Sequence, residues 1–296
     1  MKSLQTPNGT IPFPAYIPVT TFGTKYPLDD LIRPYIPRLA SALMVSLHYA
    51  QKMDQRPNLP LFIDSGGFAS LFKHFSIEEV GGLGVLVEKR EDSCARSHPR
   101  DVLEFQEKHA DVAFTLDFPI PAGTDPKEAN RRLNLTMANA SWAIQNRRRR
   151  SMALYACVQG WDIESYRRCS LAYVDAGFDG IAIGGLVPKL RKEEYVFAIV
   201  DVVRKAVPHL PIHALGVGKP ELVKKLYARG VQSVDSSSYV KMAADGKLWG
   251  EARVLKNASP MERLHLALCN LAMATGATMP LSSTQMVFRT QRLFRE

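Results

Sequence analysis

Two hundred and ninety-six residues, 46% hydrophobic and 23% charged, suffice to bury one large core or two modest ones, which excludes disorder and fibre. Lysine and arginine exceed aspartate and glutamate by 38 to 29, a net charge of +9, which favours a polyanionic partner without naming one. The four cysteines are scattered, with no C-x-x-C and no dense His/Cys cluster, so neither a disulfide framework nor a zinc finger is indicated, and a reducing cytoplasm is the default location.

Taken in chain order, short apolar β-branched runs alternate with longer amphipathic segments, the pattern of parallel strands joined by helical crossovers. The strands fall at about residues 15–20, 42–47, 61–64, 112–116, 153–158, 180–184, 211–216 and 231–235. Asp125-Pro126-Lys127-Glu128 reads as a helix start running toward Arg147, Asp162 as the cap of a helix closed by Gly177, and Pro220 as the start of one closed by Gly230. Met1 to Pro14 lacks the apolar region of a signal peptide, and the stretch from Tyr195 to Val203 is broken by Asp201, so no membrane span is expected.

Eight strands with intervening helices predict an α/β fold, a (β/α)8 TIM barrel, over an open doubly wound sheet, since no G-x-G-x-x-G follows the first strand. The chain is expected to form a single domain over 1–296, its barrel spanning about 14–250. Between strands three and four an insertion of about 47 residues should hold a hairpin around Gly84–Lys89 and a helix from near Pro99. Beyond strand eight, a helical extension over about 251–296 carries helical periodicity in Met261–Thr275.

In such a barrel the working residues lie where strands end, on one face. Strand two ends in Ser46-Leu47-His48-Tyr49, strand three in Asp64-Ser65-Gly66-Gly67-Phe68, strand four in Asp117 and strand five in Gln159-Gly160. Strand six ends in Gly184-Gly185-Leu186, strand seven in Gly216-Val217-Gly218 and strand eight in Asp235. Three carboxylates in one apolar-walled mouth can be driven to different pKa values, leaving one ionised as nucleophile or base and another as a proton donor. The glycines admit backbone groups to a flat ligand, and Gln159 offers both a donor and an acceptor, so a planar heterocycle fits. The plainer reading is that Asp64, Asp117 and Asp235 cap the helices that follow them.

These residues resemble a family. Asp64-Ser-Gly-Gly-Phe68, Leu116-Asp117, Val158-Gln159-Gly160, the run from Gly177 to Leu186, Leu215-Gly-Val-Gly218 and the strand ending in Asp235 match, in order and approximate spacing, the guanine transglycosylases, which exchange a guanine in nucleic acid for a 7-deazaguanine. The resemblance covers about residues 14–250. It implies Asp235 as the nucleophile attacking C1′ of the nucleotide and Asp64 as the acid/base. It further implies that Ser65, Asp117, Gln159, Gly184 and the backbone of Gly185 and Leu186 line and read the base, with Phe68 on one face and Leu215 and Gly216 on the other. Two displacements at one sugar carbon need a carboxylate nucleophile and a group that switches between acid and base, and no redox or metal cofactor.

The transfer-RNA enzymes of that family follow the nucleophile with a zinc-binding C-x-C-x-x-C…H element and a Pro-Thr-Arg loop. This chain has Asp235-Ser-Ser-Ser-Tyr-Val-Lys241, and only His265 and Cys269 lie beyond, so no zinc subdomain is expected. Ala69 and Leu215 stand where that family usually has glutamine and methionine. The pattern is more similar to the branch that inserts bases such as preQ0 into phage or bacterial DNA, with transfer RNA as the alternative substrate and a catalytically silent nucleic-acid-binding relative as a further one. A homodimer or an accessory protein stays open.

Candidate contacts to the nucleic acid are His48, Lys241, Lys247, Arg253 and Lys256, with Lys89, Arg90, Arg96 and Arg100 in the insertion. Arg147–Arg150 closes a helix on the face opposite the mouth and is expected to be solvated or structural. His213, inside a strand, reads as a structural histidine, Cys157 as a small buried residue, and Cys94 with His98 as too few ligands for a metal.

Overall fold

The computed structural model describes residues 1–21, 27–91 and 93–278. Eight strands, Ala15–Pro18, Leu43–Val45, Leu61–Ile63, Val112–Phe114, Ala153–Val158, Gly180–Ile183, Ile212–Ala214 and Ser233–Ser236, form one all-parallel sheet. The eighth strand pairs with the first, Asp235 opposite Ile17, and the second joins the first through a parallel bridge between Val19 and Met44 and a bond from Thr20 N–H to Met44 O of 2.9 Å. The sheet therefore curls back on itself as the expected barrel.

Alternation along each strand separates two cores, because successive side chains point to opposite faces. Ala153, Tyr155 and Cys157 point inward with Ile17, Met44, Phe62, Phe114, Ala182 and Ala214's neighbour His213, while Leu154, Ala156 and Val158 face the helices. Ile11, from a hairpin of Ser3–Thr6 with Gly9–Pro12, joins the inner core, and Asn8 Nδ2 donates to Asp111 Oδ1 at 2.8 Å, just before strand four. The hairpin thus closes the end of the barrel at which the strands begin, and the open end is left for chemistry.

The helix starts follow their local chemistry. Asp125 accepts from the backbone of Lys127 and Glu128 and opens Pro126–Asn146, and Asp162 forms a capping box with Ser165 before Ile163–Leu171. The latter helix stops at Leu171, six residues short of Gly177; Gly177 instead ends an irregular turn at φ 88°. The insertion holds more strand than expected, a three-stranded antiparallel sheet of Phe75–Val80, Leu83–Lys89 and Cys94–Ser97, then the helix Pro99–His109.

After strand eight the chain forms Ser238–Ala244 and then Pro260–Thr275, opened by a Ser259–Glu262 capping box and closed by Gly276. Asn270, fully buried, ties the segment together: Nδ2 donates to Tyr239 O and Lys247 O, and Oδ1 accepts from Trp249 N–H. Residues 279–296 of the expected extension lie outside the described residues. No helix among the described residues is long and apolar enough to cross a membrane.

Candidate active site

The strand ends converge as the barrel requires. Asp64 follows strand three, and its Oδ1 accepts from Leu47 N–H at 2.7 Å and Gly66 N–H at 3.0 Å. Desolvation pushes its pKa up to about 7; the two backbone donors oppose that shift, and the negative charges of Asp235 and Asp117 add to it. Asp64 is therefore a carboxyl that can hold or release a proton near neutrality.

Asp117 follows strand four and is buried. Ser65 Oγ donates to its Oδ1 at 2.8 Å and Gln159 Nε2 to its Oδ2 at 2.6 Å. Burial raises its pKa, and these side-chain donors pull the other way. Gln159, at 1% exposure, has its amide nitrogen committed to Asp117 while its Oε1 has no partner among the described residues. A buried acceptor left open is costly unless a ligand fills it.

The turn after strand six supports that pair. A Cβ on Gly184 would sit 2.1 Å from Gln159 Nε2, so only glycine lets the amide lie there. Gly185 adopts φ 68°, its carbonyl accepts from Lys189 Nζ at 2.7 Å, and Tyr166 OH donates to Gly184 O at 2.9 Å. Lys189 and Tyr166 fix the turn and were not singled out from sequence; the lysine four residues beyond Gly185 was the available signal. Leu186 is fully buried, and Leu215 and Gly216 are half-buried.

Asp235, at 6% exposure near the end of strand eight, uses Oδ1 twice: Gly216 N–H donates at 2.9 Å, and His213 Nε2 lies at 3.0 Å. Asp64, Asp117 and Asp235 thus bond backbone or side chains across the mouth. The helix after Asp235 has Ser237 at its cap position without a side-chain cap bond, and Gly66 precedes the turn after Asp64, so neither aspartate caps the element that follows it. His213 is a buried histidine, as its place in a strand implied, but its partner is Asp235, a contact the sequence did not disclose.

Phe68 is 58% exposed and meets Phe72 edge to face at 5.7 Å. With Ser46, Tyr49 and Ser237 it borders a largely apolar groove of about 770 Å³ that continues to Lys241, Pro260 and Arg263. Of the cations named from sequence as nucleic-acid contacts, only Lys241 lines this groove. Lys247 pairs with Asp245 at 3.2 Å, Arg253 and Lys256 lie on the exposed segment before Pro260, and His48 Nε2 lies 2.9 Å from Lys52 Nζ. In the insertion, Arg90 pairs with Glu88 and Arg96 with Glu78. Arg147 is buried against Asp179 and Met152 O at the barrel end opposite the mouth, and Arg149 bonds Glu107 O and Ala110 O. His98 caps its own helix by accepting from Arg100 N–H at 3.1 Å, and Cys94 is exposed.

The zinc of the family's transfer-RNA enzymes can be tested against the residues present. His265 Nε2 and Cys269 Sγ lie 3.5 Å apart in a buried helix, and among the described residues no group of three His, Cys, Asp or Glu could hold a metal ion. The donor set does not fit a structural zinc.

Comparison with known proteins gives a consistent result. The family described as queuine tRNA-ribosyltransferase matches residues 1–266. The chain is 27% identical over 289 residues to the queuine tRNA-ribosyltransferase of Azotobacter vinelandii, covering 87% of this chain and 73% of that protein. It is 28% identical over 275 residues to that of Pseudomonas syringae pv. tomato, covering 84% and 71%. With the tRNA-guanine(15) transglycosylase of Methanothermobacter thermautotrophicus it shares 27% over 292 residues, 93% of this chain and 40% of that protein. The protein is a glycosyl-transferring enzyme and belongs to the queuine tRNA-ribosyltransferase family.

Proposed function

We propose that the protein exchanges guanine in DNA for a 7-deazaguanine base of the preQ0 type through a covalent ester on Asp235. The observation that carries the chemistry is the division of labour among the three carboxyls. Asp64 is raised toward neutrality, Asp117 is tied to a glutamine with an open acceptor, and Asp235 is anchored, among the described residues, through Oδ1. In this reading Asp235 Oδ2, which bonds nothing among the described residues, donates a lone pair to C1′ as the C1′–N9 bond breaks. The bond's electron pair leaves with guanine, which takes a proton from Asp64. The incoming base then gives an N–H proton to the Asp64 carboxylate and attacks C1′, and the C1′–O bond breaks to restore the Asp235 carboxylate. Two inversions retain the sugar configuration.

The pocket supports a guanine-like base. Gln159 Oε1 and the Asp117 carboxyl offer acceptors to the N1–H and 2-amino edge, the Gly185 backbone can donate to O6, and Phe68 and Leu215 supply the two faces. A 7-deaza base keeps that edge. No redox or metal cofactor enters the reaction.

DNA is preferred because the segment after Asp235 is built differently from the zinc and Pro-Thr-Arg elements of the transfer-RNA enzymes. It is a short helix carrying Lys241 onto the groove beside Phe68, buttressed by Pro260–Thr275. A duplex guanine must be extruded, or the substrate be single-stranded, for its C1′ to reach Asp235. The second reading, transfer RNA, is favoured by the relatives, a queuine tRNA-ribosyltransferase and a tRNA-guanine(15) transglycosylase. The test incubates the protein with radiolabelled guanine or preQ0 and, in parallel, DNA and transfer RNA. Label entering DNA supports the proposal; label entering transfer RNA alone replaces it with the second reading.

A further inference from the structure

His213 lies inside the barrel, not on its rim. The ring is fully buried, tilted between Phe62 at 5.7 Å and Phe114 at 5.0 Å, and each nitrogen has one partner: Nδ1 meets Ser233 Oγ at 2.8 Å and Nε2 meets Asp235 Oδ1 at 3.0 Å. Gly216 N–H already treats Oδ1 as an acceptor. The consistent assignment has Nε2 carrying the hydrogen and donating to Oδ1, and Nδ1 accepting from the Ser233 hydroxyl.

We propose that His213 is a positioning residue for the nucleophile: with Gly216 N–H it pins Asp235 Oδ1 so that Oδ2 alone is presented to C1′. The inference rests on Asp235 being the nucleophile and concerns how it is held. Attack forms the Oδ2–C1′ bond and breaks C1′–N9, and Oδ1 becomes the carbonyl oxygen of the ester. In the second displacement the C1′–Oδ2 bond breaks, its electron pair returns to the carboxylate, and the two donors at Oδ1 stabilise the charge that reappears there. Ser233 acts through His213 by setting which nitrogen holds the hydrogen. For the attack itself the gain is one of position: a reacting atom misplaced by about 1 Å costs roughly 100-fold in rate.

The experiment measures single-turnover formation of the denaturant-stable enzyme–nucleic acid adduct, together with the dissociation constant of free guanine. It uses wild type, Asp235→Ala, His213→Gln, His213→Phe and Ser233→Ala. The glutamine amide can place an N–H near the Nε2 position, whereas phenylalanine keeps the volume and removes the donor. Adduct formation is expected to slow by about 100-fold in His213→Phe, by about 10-fold in Ser233→Ala and by under about 10-fold in His213→Gln, with guanine affinity unchanged. Equal slowing in the glutamine and phenylalanine variants, or wild-type rates in the phenylalanine variant, overturns the proposal. Should His213→Phe fail to fold, a wild-type rate in Ser233→Ala overturns it instead. Adduct persisting in Asp235→Ala is a different outcome: it removes the nucleophile assignment itself.

Discussion

Gln159 donates its amide N–H to Asp117 at 2.6 Å and leaves its own carbonyl oxygen buried without a partner among the described residues. The bond orients both groups before any base arrives, and the open oxygen marks where the base must supply an N–H. Gln159→Leu removes both functions at similar volume. Guanine binding should weaken by about 1–3 kcal/mol, the cost of leaving an N–H of the base buried without an acceptor. Isothermal titration with free guanine measures it; unchanged affinity would show that the amide does not face the base.

Gly184 reaches the same pair from the other side. Because a Cβ there would lie 2.1 Å from Gln159 Nε2, Gly184→Ala must push the amide off Asp117. Its loss of guanine affinity should match that of Gln159→Leu, and the double variant should be no worse than either alone, since both delete one interaction. Additive losses would contradict the shared cause.

Asp64 links pH to both folding and rate. Its pKa is raised from 3.8 to about 7 in the folded protein. Between those values the folded state holds a proton that the unfolded chain has lost. This contribution to stability is full below pH about 4 and is lost as pH rises through about 7. Asp64→Asn keeps an acceptor for Leu47 and Gly66 and removes the buried charge. The wild-type melting temperature should fall from pH 5 to pH 8 more steeply than the variant's, while the variant's base exchange should drop by at least about 100-fold. For wild type, kcat/KM for nucleic acid should decline above pH about 7, as the acid that protonates departing guanine is lost.

Arg147 and Lys241 contrast a structural cation with a proposed nucleic-acid contact. Arg147 is buried against Asp179 and Met152 O, so Arg147→Ala should cost roughly 2 kcal/mol of stability, less than a fully buried pair because Asp179 is partly exposed, and leave the salt dependence of DNA binding unchanged. Lys241, at the groove beside Phe68, should behave oppositely. Lys241→Ala should keep the melting temperature and lower the slope of log affinity against log salt by about one. Denaturation curves and binding isotherms at several salt concentrations distinguish the two.

The strands, and the gathering of most candidate site residues at their ends, were legible in the sequence because β-branched runs and the polar residues after them are local signals. Asp64, Asp117, Gln159 and Asp235 each follow or end a strand, and barrel geometry alone gathers strand ends. What escaped depends on contacts between distant segments. His213 and Asp235 are 22 residues apart, and no local pattern shows that adjacent strands pair His213 with Ser233 and so bring Asp235, two residues further along the same face, to its ring. The N-terminal hairpin was missed because Ser3–Thr6 and Gly9–Pro12 are short and weakly apolar; Ile11 becomes a core residue only against the barrel interior. Arg90, Arg96 and Lys247 looked like phosphate ligands as isolated cations, whereas each has an acidic neighbour in space.

The central claim is tested most directly by mass spectrometry of the intermediate. The protein is incubated without an incoming base on guanine-containing single-stranded DNA and, separately, on transfer RNA, then denatured, digested and mapped. The account predicts one guanine released per adduct and a deoxyribosyl ester on the peptide that contains Asp235, absent from Asp235→Ala. Guanine release without an adduct, an adduct on another residue, or an adduct formed only with transfer RNA would contradict it.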